Sequence, residues 1–319
     1  MQILFYLVAA VSTFIFAYGF YLRLRKYRRG RPAARFNDLG RRLRRAGASL
    51  AKNATVWRRD PYAGLSHTFI FWGFVVLFIG TVIVFIDHDL LRPFEVQLLQ
   101  GPFYLGFSLV LDVFGVVFLA GLLMMMARRG FWRLPQLDYR RADAQGGHYD
   151  RSGYQRDDRV FVGLLLVIGV TGFLLEGFRI AADRPAFEVW SPVGWALAGL
   201  TDALRLTAAA NDWHRNTWWL HAVLVMVFIA YIPYSKAMHM LIDMANLVFT
   251  DDEAGRRLPR PEVPPEPAAQ KSPGYSRLTD FTWKELLDLD ACTKCGRCHT
   301  ACPARAGGHP LSPRDLILE

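Results

Sequence analysis

Five blocks of the chain are almost continuously apolar: roughly Ile3–Leu22, Leu65–Ile86, Phe103–Ala127, Val160–Gly177 and Thr217–Ser235. Each is close to the length at which an α-helix crosses the hydrocarbon core of a bilayer. The segments between them are polar and often charged. The pattern predicts an all-α membrane protein built as a bundle of five transmembrane helices. After the fifth block the composition shifts. Six prolines fall between Leu258 and Pro273, which reads as a semi-rigid linker. Beyond it, Thr282 with Glu285 three positions later has the spacing of a capping box and predicts a short helix over "WKELLDLD". The expected division is a membrane domain over residues 1–250, a linker over 251–278 and a small helical segment over 279–319.

Charge then orients the bundle. The chain carries a net +10, and Leu22–Gly64 alone holds fourteen Lys and Arg against Asp38 and Asp60. Asp87–Pro102 has one arginine, Arg128–Arg159 has eight, and the stretch after the fifth block is basic again. Basic loops stay on the cytoplasmic face. This predicts an N-terminus outside and a C-terminus in the cytoplasm, in a bacterial inner membrane. Topology and contact with anionic lipid account for the basic loop, so no nucleic-acid partner is expected. No basic region precedes the first block, which therefore reads as a span and not as a cleaved signal.

All four cysteines lie in "CTKCGRCHTACP": Cys292, Cys295, Cys298 and Cys302, followed by Pro303. The pattern C-x2-C-x2-C-x3-C-P is the bacterial ferredoxin run and predicts a 4Fe-4S cluster in a ferredoxin-like segment. Structural zinc usually takes two separated ligand pairs, and disulfides are rare on the cytoplasmic side. In two-cluster ferredoxins the first three cysteines serve one cluster and the fourth serves another. Three arrangements follow. A second run lies beyond Glu319, or in a partner subunit, or Cys302 closes a lone cluster.

Three of the eight histidines, His67, His221 and His239, lie in or at the ends of spans, where ionisable groups are functional candidates. The 18-residue spacing of His221 and His239 is five helical turns, which predicts one shared face of the fifth helix. By depth, His239 matches His67. Imidazoles from two helices at one depth can hold a haem b from both sides, with Gly73, Gly115, Gly169 and Gly172 giving room and Lys236, Arg58 and Arg59 meeting propionates. The alternative is that these rings are interfacial groups bonded to backbone or water. A second haem would need His221 paired with another group, His88 being one option. His148, His299 and His309 read as solvated. Asp112 and Glu176 interrupt spans; they read either as proton carriers for a quinone or as bonded acids, Glu176 pairing with Arg179.

The segment "WLHAVLVMVFIAYIPYSKAMH" resembles the last span of the cytochrome b (gamma) subunit of respiratory nitrate reductases and the membrane subunits of heterodisulfide reductases. The resemblance runs from about Met1 to Asn246. It implies two haems b on four histidines, two of them ten residues apart on the second span. Here His67 matches the first, but the other position is Leu77, so His67 with His239 carries over and His221 lacks its family partner. "DFTWKELLDLDACTKCGRCHTACPA" resembles the start of the iron–sulfur subunit of heterodisulfide reductase-like oxidoreductases. The combination is similar to membrane enzymes proposed to link electron transfer flavoprotein to quinone. Such proteins continue into a second cysteine run, so the chain is expected to be truncated. The implied function is quinone-linked electron transfer with a soluble donor or acceptor, completed by further domains or a partner subunit. The resemblance assigns no catalytic residue. The competing reading is a non-enzymatic haem and iron–sulfur anchor or redox sensor.

Overall fold

A computed structural model describes residues 2–58, 60–132, 134, 137, 152–253, 275–309 and 311–318. The proline-rich stretch 258–273, Arg59 and His148 lie outside them. Among the described residues the protein is helical with no strand; one isolated bridge joins Arg31 and Thr282. The α-helices in chain order are α1 (Gln2–Tyr27), α2 (Leu39–Lys52), α3 (Ala54–Trp57), α4 (Pro61–Phe85), α5 (Gly101–Phe131), α6 (Ser152–Asp183), α7 (Pro192–Ala203), α8 (Ala210–Tyr231), α9 (His239–Val248), α10 (Trp283–Asp290), α11 (Arg297–Ala301), α12 (Pro303–Ala306) and α13 (Pro313–Ile317). Among the described residues five helices are long and apolar enough to cross a membrane: Ile3–Tyr27, Pro61–Phe94, Gly101–Phe131, Gly153–Asp183 and Thr207–Tyr234. They coincide with the five apolar blocks and extend most of them at their ends.

Two compact units are present, one of Met1–Lys52, Leu134–Asp158 and Ile229–Glu319, the other of Asn53–Arg133 and Arg159–Phe228. In the second unit α4 starts on Asp60, whose side chain accepts from the Ala63 N–H at 3.0 Å, with Pro61 at the first helical position. The same carboxylate pairs with Arg128 of α5. Glycines let α4 and α5 approach closely, since packing in lipid rewards close backbone contact. A methyl group at Gly73 would lie 2.6 Å from Phe118 Cβ, and one at Gly121 would lie 2.8 Å from Phe69 Cβ. A six-residue π-helix, Ile86–Leu91, continues α4, where "DHDLLR" reads as a loop from sequence. It leaves His88 exposed, its ring 3.7 Å from Asp89. Hydropathy did not separate α7 from its polar surroundings.

The first unit gathers both ends of the chain. Tyr27 of α1 packs with Met238, Ile242, Leu286 and Leu287 in one core. Trp283 stacks on Phe36, meets Phe249 edge-on and donates to the Ala33 carbonyl at 3.0 Å. Part of the basic loop's charge is matched within the protein: Arg35 pairs with Asp251, Arg45 with Asp252, and Arg42 donates to the Thr250 carbonyl. The capping box at α10 forms as expected. Glu285 N–H donates to Thr282 Oγ1 at 3.2 Å, and Thr282 N–H donates to Glu285 Oε2 at 2.7 Å. Replacing Thr282 by alanine should cost about 1 kcal/mol and lower amide-exchange protection over α10 while sparing α4 and α5.

The fifth span breaks where a continuous helix was expected. Pro233 cannot donate a backbone hydrogen bond, and after Tyr231 the chain passes through two 3-10 turns, Ile232–Tyr234 and Lys236–Met238, before α9 begins at His239. His221 and His239 thus sit on separate helices, and a spacing of five turns does not give them a shared face.

Candidate cofactor sites

The cysteine segment follows directly from α10. Two residues in left-handed backbone, Lys294 at φ 58° and Gly296 at φ 72°, turn the chain between Cys292 and α11. Glycine adopts this conformation without strain. Lys294 is a costlier occupant, and its ammonium is tied down: it pairs with Asp157 at 3.2 Å and lies 4.4 Å from the centre of the Tyr154 ring. Asp157 also accepts from Tyr231 and, at 3.2 Å, from the Lys236 N–H. The loop is therefore fastened to the start of α6 and to the turn after α8.

Within the loop Cys292 and Cys295 are partly buried, Cys298 is exposed and Cys302 is buried as the N-cap of α12. Burial raises the Cys292 thiol, and the neighbouring Cys295 and Cys298 raise it further. Burial also works against Cys295, but hydrogen bonds centred on Arg297 outweigh it and hold that thiol below its usual value. Arg297 Nε donates to Cys295 Sγ at 3.3 Å, the kind of contact to sulfur that tunes iron–sulfur centres. Behind Arg297, Asp243 of α9 is pushed up to about 7 by burial, with Arg297 opposing the shift. Among the described residues no three His, Cys, Asp or Glu side chains converge closely enough to hold a metal ion. The donor set itself, four soft thiols at ferredoxin spacing, fits an iron–sulfur cluster. His299, expected to be solvated, is buried, its Nδ1 2.6 Å from Ser312 Oγ, and it packs α11 on α13. His309 is exposed.

Each histidine singled out from sequence has its Nδ1 engaged. His67 Nδ1 lies 3.1 Å from Asn53 Oδ1, and His239 Nδ1 lies 2.5 Å from the Lys236 carbonyl. Both partners accept only, so Nδ1 carries the proton and a neutral ring keeps its lone pair on Nε2. His221 Nδ1 lies 3.0 Å from Thr171 Oγ1, whose own hydrogen faces the Val167 and Ile168 carbonyls, so the same tautomer results. This is the form a metal-ligating histidine takes. Beside His67 the Asn53 Nδ2 is buried without a hydrogen-bond partner among the described residues. The expected glycine cradle is largely taken by side chains: Phe118 fills the space at Gly73, Phe173 at Gly115 and Leu119 at Gly169, while at Gly172 the nearest atom is His221 Cε1, at 3.5 Å from an added methyl. Lys236 is engaged as well, its ammonium 2.5 Å from buried Asp158. Arg179 turns to Glu188, not to Glu176, with the second nitrogen at 3.1 Å. Burial would raise Glu188, but Arg179 and Tyr104 hold it below the usual carboxylate range. Neither Glu188 nor Asn53 stood out in the sequence; a lone acid or amide beside an apolar run carries no periodic signal.

Residues 283–304 match the 4Fe-4S binding domain family, which covers the four cysteines. The chain is 32% identical over 99% of its length to the EtfAB:quinone oxidoreductase of Syntrophomonas wolfei. It is 26% identical, also over 99%, to the probable iron–sulfur-binding oxidoreductase FadF of Bacillus subtilis. It spans 42% of the length of each of these relatives. These likenesses support an iron–sulfur oxidoreductase family. To one subunit of the dihydromethanophenazine:CoB–CoM heterodisulfide reductase of Methanosarcina barkeri the chain is 25% identical over 58% of its length, covering 58% of that protein. No solved structure matches significantly. The cysteine loop and the five apolar helices are the two described parts that need a common function.

Proposed function

We propose that the protein carries electrons between a cytoplasmic iron–sulfur module, or a soluble donor such as electron transfer flavoprotein, and the quinone pool. The observation that carries this reading is the fastening of the cysteine segment to an apolar helix. Asp290, the last residue of α10 and two positions before Cys292, accepts from Arg23, Lys26 and Tyr27 at the end of α1, with the Lys26 and Tyr27 bonds at 2.5 Å and 2.6 Å. A site for a one-electron carrier is thereby held at the boundary of a candidate span. On this reading the protein lies in a bacterial inner membrane with this end in the cytoplasm, and residues 1–250, 251–278 and 279–319 serve as membrane domain, linker and ferredoxin-like segment.

Cys292, Cys295 and Cys298 then hold one 4Fe-4S cluster. Its fourth ligand, and the partners of Cys302, come from a second cysteine run on this polypeptide or on a partner subunit. His67, with its ring oriented by Asn53, and His239 would each offer an Nε2 lone pair to a haem b, as the sequence resemblance implies. Bound cluster and haem supply one-electron steps; the chain's residues set tautomer, orientation and charge around them. Replacing His67 or His239 by alanine should abolish the reduced haem spectrum with the protein still inserted, whereas His221→Ala should keep it. The test is reduction of the purified protein in lipid by reduced electron transfer flavoprotein, followed by added quinone. Spectra that respond to neither would end the transfer reading and favour a redox sensor or anchor.

A further inference from the structure

The second unit contains a shallow, half-open depression of about 250 Å³ lined by Asp112, Val113, Val116, Val117, Pro192 and Val193. Its walls are apolar, and Val113 and Val116 are each nearly half exposed on a candidate span, the side that faces lipid. At its base Asp112 is only 2% exposed. One carboxyl oxygen, Oδ2, accepts the Val193 N–H at 2.6 Å and caps the start of α7 from a neighbouring helix. The other, Oδ1, is buried, and the carboxyl has Glu176 and the Gly194 backbone beside it. Two buried carboxyls side by side cannot both be ionised at little cost, so this pair holds a proton that it can give to a bound group.

Glu176 of α6 faces Asp112 from behind, packed against Gly194. Beyond it the buried Ser191 hydroxyl lies beside both Glu176 and Glu188. Glu188 in turn meets Tyr104 at 2.7 Å and Arg179, whose side chain is 41% exposed. Polar side chains thus lie in succession behind Asp112: Glu176, Ser191, Glu188 and Arg179. A lipid acyl chain would use the valines and leave the carboxyls without a role. A ring with an oxygen at its edge and an apolar tail uses all of them.

We infer that this depression receives the head group of a lipid-soluble quinone, with the protonated Asp112 carboxyl donating to a quinone oxygen and Glu176 behind it returning the proton. The inference rests on the proposed quinone-linked function and gives it a location. Reduction adds two electrons and two protons to the quinone, and each ring carbonyl becomes a hydroxyl. The electrons come one at a time from the reduced iron–sulfur module, which is oxidised. The protons leave the Asp112 carboxyl one at a time, and each is replaced through Glu176. Oxidation of a quinol reverses every step.

The test uses the full chain in lipid nanodiscs and an azido-substituted short-chain benzoquinone as photolabel, with the adducts mapped by mass spectrometry. Label is expected on residues 113–117 and 192–194. Val116→Trp fills the depression and should lower labelling by about tenfold or more. Asp112→Asn keeps a cap for α7 and should leave labelling in place, but slow reduction of the same quinone by about a hundredfold, the scale of a lost acid–base group. If Val116→Trp loses the label while the unaltered protein fails to reduce the quinone, the site holds and the electron-transfer reading falls. If reduction proceeds at full rate in both variants, or the label lands elsewhere, the transfer reading survives and this site is wrong.

Discussion

Cys295→Ser should remove the visible absorbance of the iron–sulfur cluster and its low-temperature paramagnetic signal, with the helical content of the protein unchanged. The sulfur at this position is partly buried, receives the Arg297 N–H at 3.3 Å and is held below the usual thiol value. It is therefore the thiol best prepared to ligate as a thiolate, the form that binds metal. A serine hydroxyl is a hard donor with a far higher pKa and does not replace a thiolate on iron. The companion variant Cys302→Ser separates the arrangements left open by the spacing. If the fourth cysteine closes the same cluster, both variants lose the signal. If it serves a second cluster, Cys302→Ser keeps the first. Measured iron per polypeptide distinguishes these results, and an unaltered iron content in Cys295→Ser would refute the ligand assignment.

The second large effect is at Asp290. Its side chain is only 10% exposed, yet it carries the charge that offsets Arg23 and Lys26, and Tyr27 Oη donates to its second oxygen. Asp290→Ala leaves three donors facing an apolar side chain. Breaking a buried pair costs about 3–5 kcal/mol, but Arg23 and Lys26 are each about a third exposed and regain water, so about 2–3 kcal/mol is expected here. That is enough to release α10 from α1 in a measurable fraction of molecules. Limited proteolysis should then cut near residues 275–282, and amide exchange over α10 should accelerate. Asp290→Asn keeps acceptor oxygens and should lose less. Equal protection in Asp290→Ala and the unaltered protein would show that the hydrophobic contacts of Leu286 and Leu287 alone hold the segment.

The parts legible from sequence are those in which one physical signal acts alone. Apolar runs fixed the five long helices, because nothing but length and hydrophobicity decides whether a helix can cross a bilayer. The Thr282–Glu285 box was legible because capping is a local exchange of hydrogen bonds. Cysteine spacing pointed to the cluster before any fold was known, and the matching family supports it. The break at Pro233 was visible as a residue but was overruled by the apolar run around it, and the five-turn relation of His221 to His239 went with it. Asp112 was noticed as an acid in a span. Its role as cap for α7 was not readable, since that needs a helix 81 positions away to arrive with its N–H groups turned inward. The same holds for Asn53 beside His67 and for Glu188 beside Arg179: each pairing is made by packing, which leaves no period in the chain.

The contact between Arg23 and Asp290 spans 267 positions of chain. At a synthesis rate of about 5–20 residues per second, roughly 15–50 s separate the two on the ribosome. For that interval Lys26 and Tyr27 at the end of α1 lack their carboxylate partner. The earliest helix made is thus among the last to be locked, and the step that locks it also seats the redox loop beside it. A polypeptide whose synthesis stops before Asp290 never receives that lock, which gives membrane quality control a simple mark by which to tell unfinished copies from finished ones.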